Sequence, residues 1–159
     1  MTPFFPLEAL RQIPGLEYAR FEDPYAGGQG NSVRYFAMAP RNDFLQVTGV
    51  DNLFCAGEKA GLLVGHTEAI CTGTLAGSNA VRHINNENLV TIPDSLAIGD
   101  AITYVRRSMK TSEGLGLKYT FSGSVFFDRM LARKLYSTDG KQIAERVDAA
   151  GLAGVFAGQ

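Results

Sequence analysis

Apolar and polar residues alternate or run together in the first third of the chain, and thereafter apolar positions recur with helical spacing. Residues 7–13, LEALRQI, predict a two-turn helix stopped by Pro14-Gly15. Residues 16–23, LEYARFED, alternate as a half-buried strand does. Three glycines, a proline and polar turn formers make 23–32 a loop. VRYFAMAP, 33–40, is rich in β-branched and aromatic residues and predicts a strand that Pro40 ends. DFLQV, 43–47, predicts a short extended piece before a turn at Thr48-Gly49. NLFCAG, 52–57, is apolar enough to predict a fully buried strand.

A glycine-containing loop, 57–65, follows, and then a helix over about 67–84. His66 or Thr67 falls near its N-cap, and Glu68 in its first turn, where a carboxylate suits the positive end of the helix dipole. Ala69, Thr72, Gly73, Ala76, Gly77 and Ala80 are spaced three and four apart. Each helical glycine costs about 1 kcal/mol relative to alanine, so Gly73 and Gly77 predict close approach to a sheet or another backbone. Downstream, 85–95 is a connection. Residues 96–109 predict a helix, 110–124 a Gly- and Ser-rich loop, and 125–137 an amphipathic helix. Thr138-Asp139-Gly140 makes a turn, and 141–156 predicts a last helix weakened by Gly151 and Gly154. There is no internal repeat.

Composition narrows the class. A chain of 159 residues that is 45% hydrophobic and 19% charged argues against disorder. Its uncharged stretches carry too much Gly, Ser and Thr for a membrane span, and its start has no signal-peptide pattern. Cys55 and Cys71 form neither a disulfide framework nor a metal-ligand pattern. They predict small buried hydrophobes in a reducing, cytoplasmic compartment, with a redox or nucleophilic role as the alternative. Charge is uneven. Residues 1–95 hold six Lys/Arg against ten Asp/Glu, a net −4, and residues 96–159 hold nine against six, a net +3. Arg41, Arg106 and Arg107 are candidate contacts to a nucleic-acid backbone, with a solvated turn and a solvated helix face as the alternatives.

The strand–loop–helix stretch carries the candidate chemistry. Backbone N–H groups at a helix start attract anions and carbonyl oxygens. Gly57, Gly61 and Gly65 let a ligand approach the main chain. Glu58 suits sugar or ribityl hydroxyls better than a phosphate, and the Gly65–Glu68 segment suits a ligand carbonyl. Pattern alone leaves a second reading open, a tight turn whose glycines serve geometry only. His66 is likewise either a cap or an acid–base group.

As a whole, NLFCAGEKAGLLVGHTEAICTGTLAGSNAVRH, 52–83, resembles the C-terminal FAD-contacting segment of two-dinucleotide-fold flavoproteins. Within that group it is most similar to the GidA/TrmFO family of tRNA-modifying flavoproteins. IPGLEYARF and RYFAMAPRNDF upstream, and TIPDSLAIGDAITYVRR downstream, resemble the flanking segments of that family. The resemblance implies an α/β fold: the C-terminal remnant of a FAD-binding domain over 1–90, with short strands and a Gly/Ala-rich helix, then a small helical region over 91–159. It implies that Gly57 and Glu58 meet the ribityl or pyrophosphate region. It further implies that Gly65, His66, Thr67 and Glu68 form the helix start facing the flavin ring. His66 stands where that family often has Tyr, and Glu58 where it often has Gln. No G-x-G-x-x-G follows an N-terminal strand, so the adenine-side half of a FAD site is missing.

The expected function is therefore that of a C-terminal piece of a FAD-dependent, tRNA uridine-modifying enzyme, inactive and without retained FAD on its own. Its expected partners are tRNA, the remainder of the FAD-binding chain and a second copy of itself. The alternatives are a FAD-dependent oxidoreductase of a small molecule and a non-catalytic, self-associating module.

Overall fold

A computed structural model describes residues 7–18, 38–61, 63, 65–116, 119–121 and 124–157. The chain divides into two compact units, Met1–Ala37 and Met38–Gln159. In the first, helix α1 (Leu7–Arg11) runs into a turn at Pro14-Gly15, with Gly15 at φ +89°. Leu16 donates to the carbonyl of Ile13, so residues 16–18 form a turn where a strand was expected. The rest of that expected strand, the 23–32 loop and residues 33–37 of the next strand lie outside the described residues.

The second unit is helix-rich: α2 (His66–Ile84), α3 (Ala97–Ser108), α4 (Ser112–Gly116), α5 (Ser124–Ala132) and α6 (Gly140–Ala149). The expected strands over 43–47 and 52–57 are replaced by a looped hairpin touching at isolated pairs, Arg41 with Val47 and Gln46 with Phe54. The cause is Asn42. Its side-chain oxygen accepts from the N–H groups of Phe44 (3.0 Å) and Gln46 (3.1 Å), offering the backbone a turn in place of a ladder. Leu45 takes a positive φ of 64° inside that turn and is fully buried. Leu53 is 49% exposed, so 52–57 is not a buried strand.

Helix α3 stands between two cores. Ala101 and Val105 pack with Leu63, Tyr119, Phe126 and Met130. Ile102 packs with Leu45, Ala60, Leu75 and Ala76. The second core also takes Val90 and Ile92, so α2 and the helices after residue 90 share one packed unit. Asn79, wholly buried on α2, fastens this side. Its amide donates to the carbonyls of Phe44 (2.9 Å) and Val90 (2.8 Å), and its oxygen accepts from the Val90 N–H (2.8 Å). On the other side Asp100, also buried, receives both arms of Arg129 at 2.7 Å and a bond from Arg133, tying α3 to α5.

Three helices end alike, and two of those ends differ from expectation. At Asn86, Lys134 and Gly151 φ turns positive, and the next residue donates back to the carbonyl five residues earlier. α5 therefore stops at Ala132 rather than 137, and α6 at Ala149 rather than 156. The Gly/Ser-rich stretch expected as loop contains α4, whose first turn is capped by Thr111 accepting from the Gly114 N–H at 3.0 Å. Asp139, expected in a turn, caps α6 by accepting from Lys141 and Gln142.

The buried face of α2 is Glu68, Thr72, Leu75, Ala76 and Asn79. Gly73 and Gly77 meet nothing within 4 Å of a Cβ position among the described residues, so their expected close approach is not made here. Ile70, Val81 and Ile84 on that open side are 67%, 58% and 76% exposed.

Candidate flavin-facing loop and helix start

The loop before α2 is a 3-10 turn, Gly57–Ala60, that packs on the helix. Gly57 has φ 55°, and its N–H donates to Thr72 Oγ1 at 2.8 Å, while the hydroxyl donates on to the carbonyl of Glu68 at 2.7 Å. The Gly57 amide is thus engaged internally. Glu58 is half-buried in this turn. Gly61, at φ 128°, lies against Val105, where a Cβ would collide with the valine side chain.

Gly65 is the N-cap of α2, in extended backbone. The Glu68 carboxylate folds back beneath it and occupies the place of a Cβ. Glu68 is 3% exposed, and its Oε1 accepts the N–H of Phe121. This bond and the parallel pair Leu63–Tyr119 hold the 119–121 segment beside the helix start. The Glu68 side chain therefore faces the protein interior. His66 and Thr67 are exposed, and no side chain caps the helix. Its leading N–H groups point outward from a helix of 19 residues, at the positive end of the dipole. Such a rim accepts a carbonyl oxygen or a delocalised negative charge.

The candidate nucleic-acid residues separate. Arg41 is buried, donating from Nε to the Ala60 carbonyl (2.9 Å) and from Nη2 to the Ile102 carbonyl (3.0 Å). Burial lowers its pKa to about 10. Here it is an internal strut and not a surface cation, which the spacing Pro40-Arg41-Asn42 gave no means of seeing. Arg106 clamps Asp43 with two bonds, 2.6 and 2.9 Å. Arg107 alone of the three is exposed.

The thiols of Cys55 and Cys71 are half-buried, and burial raises both pKa values above 9.0, with Glu68 adding to the rise at Cys71. Neutral thiols are poor nucleophiles, consistent with a packing role. Among the described residues, no group of His, Cys, Asp and Glu is placed to hold a metal ion, and no helix is long and apolar enough to cross a membrane.

Comparison with known proteins bears on this same segment. The family model described as "Glucose inhibited division protein A" matches residues 5–88, just over half of the chain. The methylenetetrahydrofolate–tRNA-(uracil-5-)-methyltransferase TrmFO of Bacillus pumilus is 35% identical over 115 residues, covering 66% of this chain and 24% of that protein. The TrmFO of Lactococcus lactis is 33% identical over 106 residues, covering 60% and 21%. The chain spans about a quarter of the length of the curated relatives it matches. No solved structure matches it.

Proposed function

The chain belongs to the glucose-inhibited division protein A family, and from that premise we propose that it forms the flavin-ring side of a FAD-dependent enzyme that modifies uridine in tRNA. The observation that carries this reading is the uncapped start of α2 behind Gly65, within the segment matched by the family model. The residues fit the ring end of FAD. The helix start offers N–H donors that no side chain caps.

In this reading the backbone of Gly65, His66 and Thr67 holds the pyrimidine edge of the flavin. FAD, when bound, supplies the redox chemistry. The positive helix end stabilises negative charge on the reduced ring. Glu68 acts from below, fixing the helix start to Phe121 so that the donors stay aligned. Glu58 faces the ribityl hydroxyls. The adenine half of the site is contributed by sequence outside this chain. Arg107 meets RNA phosphate, while Arg106 is held by Asp43.

Two observations favour other readings. Arg41 and Arg106 are engaged internally, which leaves less basic surface and suits a small-molecule substrate. The open apolar side of α2 suits a chain that associates with itself.

The test is a difference spectrum of FMN mixed with concentrated protein. The proposal expects the visible flavin bands to shift, and the shift to weaken in His66→Pro, which removes one donor N–H at the first helical position, where proline is tolerated. Identical spectra with and without protein would refute it. A salt-dependent retention of tRNA on filters separates RNA from small-molecule substrates, with steep loss of binding as salt rises expected for RNA.

A further inference from the structure

A concavity of the second unit lies away from the α2 start. It is a cavity of about 410 Å3 between the start of α3, the end of α5, and α6 with the turns after it. Its floor is aliphatic, built by Ile98, Met130, Leu135 and Val147, and Tyr136 and Phe156 stand at its mouth, 48% and 41% exposed. A volume of this size is within the range of small-ligand pockets, roughly 300–1,000 Å3.

One charged residue lines this otherwise largely apolar wall, Arg146. Both of its hydrogen bonds go to neutral oxygens, the Leu135 carbonyl at 3.3 Å and the Gln142 side chain at 3.2 Å. The other arginines that approach a cavity wall or core, Arg41, Arg106, Arg129 and Arg133, each have an aspartate within 4 Å. Arg146 has no carboxylate within that distance among the described residues. A single uncompensated cation on an aliphatic wall is the complement of a single anionic head on an aliphatic tail. A phosphate-rich ligand would need more cations, and a peptide would bring backbone groups that this wall cannot satisfy.

We propose that this cavity binds an aliphatic monocarboxylate, its chain against Ile98, Met130 and Val147 and its carboxylate on Arg146. The tail gains from leaving water, in proportion to the apolar area covered. The head gains a charge-assisted bond with fork geometry. Neither gain alone selects the ligand. Together they distinguish a carboxylate from the alcohol of equal length.

The probe is dodecanoate, kept below its micelle concentration and titrated calorimetrically into the 159-residue chain, with dodecanol as the uncharged control. Saturable one-to-one binding of dodecanoate, tighter than dodecanol, is expected. Arg146→Gln should weaken dodecanoate about tenfold and leave dodecanol unchanged. Val147→Phe, which fills the floor, should abolish both. Should Val147→Phe unfold, methyl NMR of the unmodified protein decides: the Ile98 and Val147 signals must move on titration. Equal affinity for acid and alcohol, indifference to Arg146→Gln, shifts confined to other methyls, or no binding would each overturn the proposal.

Discussion

The Glu68–Phe121 bond makes a prediction that can be worked through. Glu68 is in the first turn of α2 and almost fully buried, and it accepts the Phe121 N–H. Glu68→Ala removes a charged acceptor, leaves that N–H unsatisfied in a half-buried place, and takes a carboxylate from the positive helix end. A hydrogen bond to a charged group contributes about 1.5–3 kcal/mol net, and the dipole interaction about 0.3–1 kcal/mol. The expected loss is about 2–3 kcal/mol. Glu68→Gln keeps an acceptor oxygen and loses the charge, so about 1 kcal/mol is expected. Urea unfolding reads both as a lowered midpoint at unchanged slope. Amide exchange adds a local readout: Phe121 should exchange roughly 30-fold faster in Glu68→Ala, since 1.4 kcal/mol is tenfold. Unchanged Phe121 exchange, with a loss under about 0.5 kcal/mol, would refute the claim that Glu68 pins the helix start.

Three further outcomes follow from the same geometry. Asp100→Asn leaves Arg129 and Arg133 without their shared buried carboxylate and should cost about 2–4 kcal/mol in urea unfolding, less if Arg129→Met is added. Lys134→Gly relieves a left-handed residue at the end of α5 and should raise the melting temperature by about 2–4 °C, where a fall would mean that the helix end differs. Folding raises the Cys55 and Cys71 pKa values, so their stabilising contribution is complete below the ordinary thiol value of 9.0 and is lost as pH climbs through the raised ones. Stability should therefore decline less steeply above pH 9.0 in the Cys55→Ala, Cys71→Ala double variant, and the native thiols should react with a disulfide reagent more slowly than in urea.

Helices were legible where apolar spacing, an end signal and a first-turn acid agreed, as in α2 and α3. Gly151, expected only to weaken the last helix, instead follows its end at Ala149. Lys134 carried no mark, because nothing in the residue type announces a positive φ. The extended piece expected over 43–47 does not form because Asn42, a single side chain, binds two backbone amides and turns the chain where periodicity suggested extension. At the site, Gly65 and the helix start were visible as pattern. The inward direction of Glu68 was not, because a first-turn carboxylate looks the same whether it serves a ligand or a neighbouring amide. Arg41 and Asn79 show the same limit. Their long-range partners, the carbonyls of Ile102 and Phe44, are set by how α2 and α3 pack. The one sequence hint at Asn79 is its place eleven residues after Glu68, on the face shared with Leu75 and Ala76.

The central claim is that the start of α2 meets a flavin ring, and amide NMR of the isotope-labelled chain tests it most directly. FMN and ADP, the two halves of FAD, would be titrated separately to millimolar concentration. The account predicts that FMN moves the amides of Gly65, His66 and Thr67 while ADP leaves them in place. FMN shifts that avoid those three amides, or equal shifts with ADP, would contradict it.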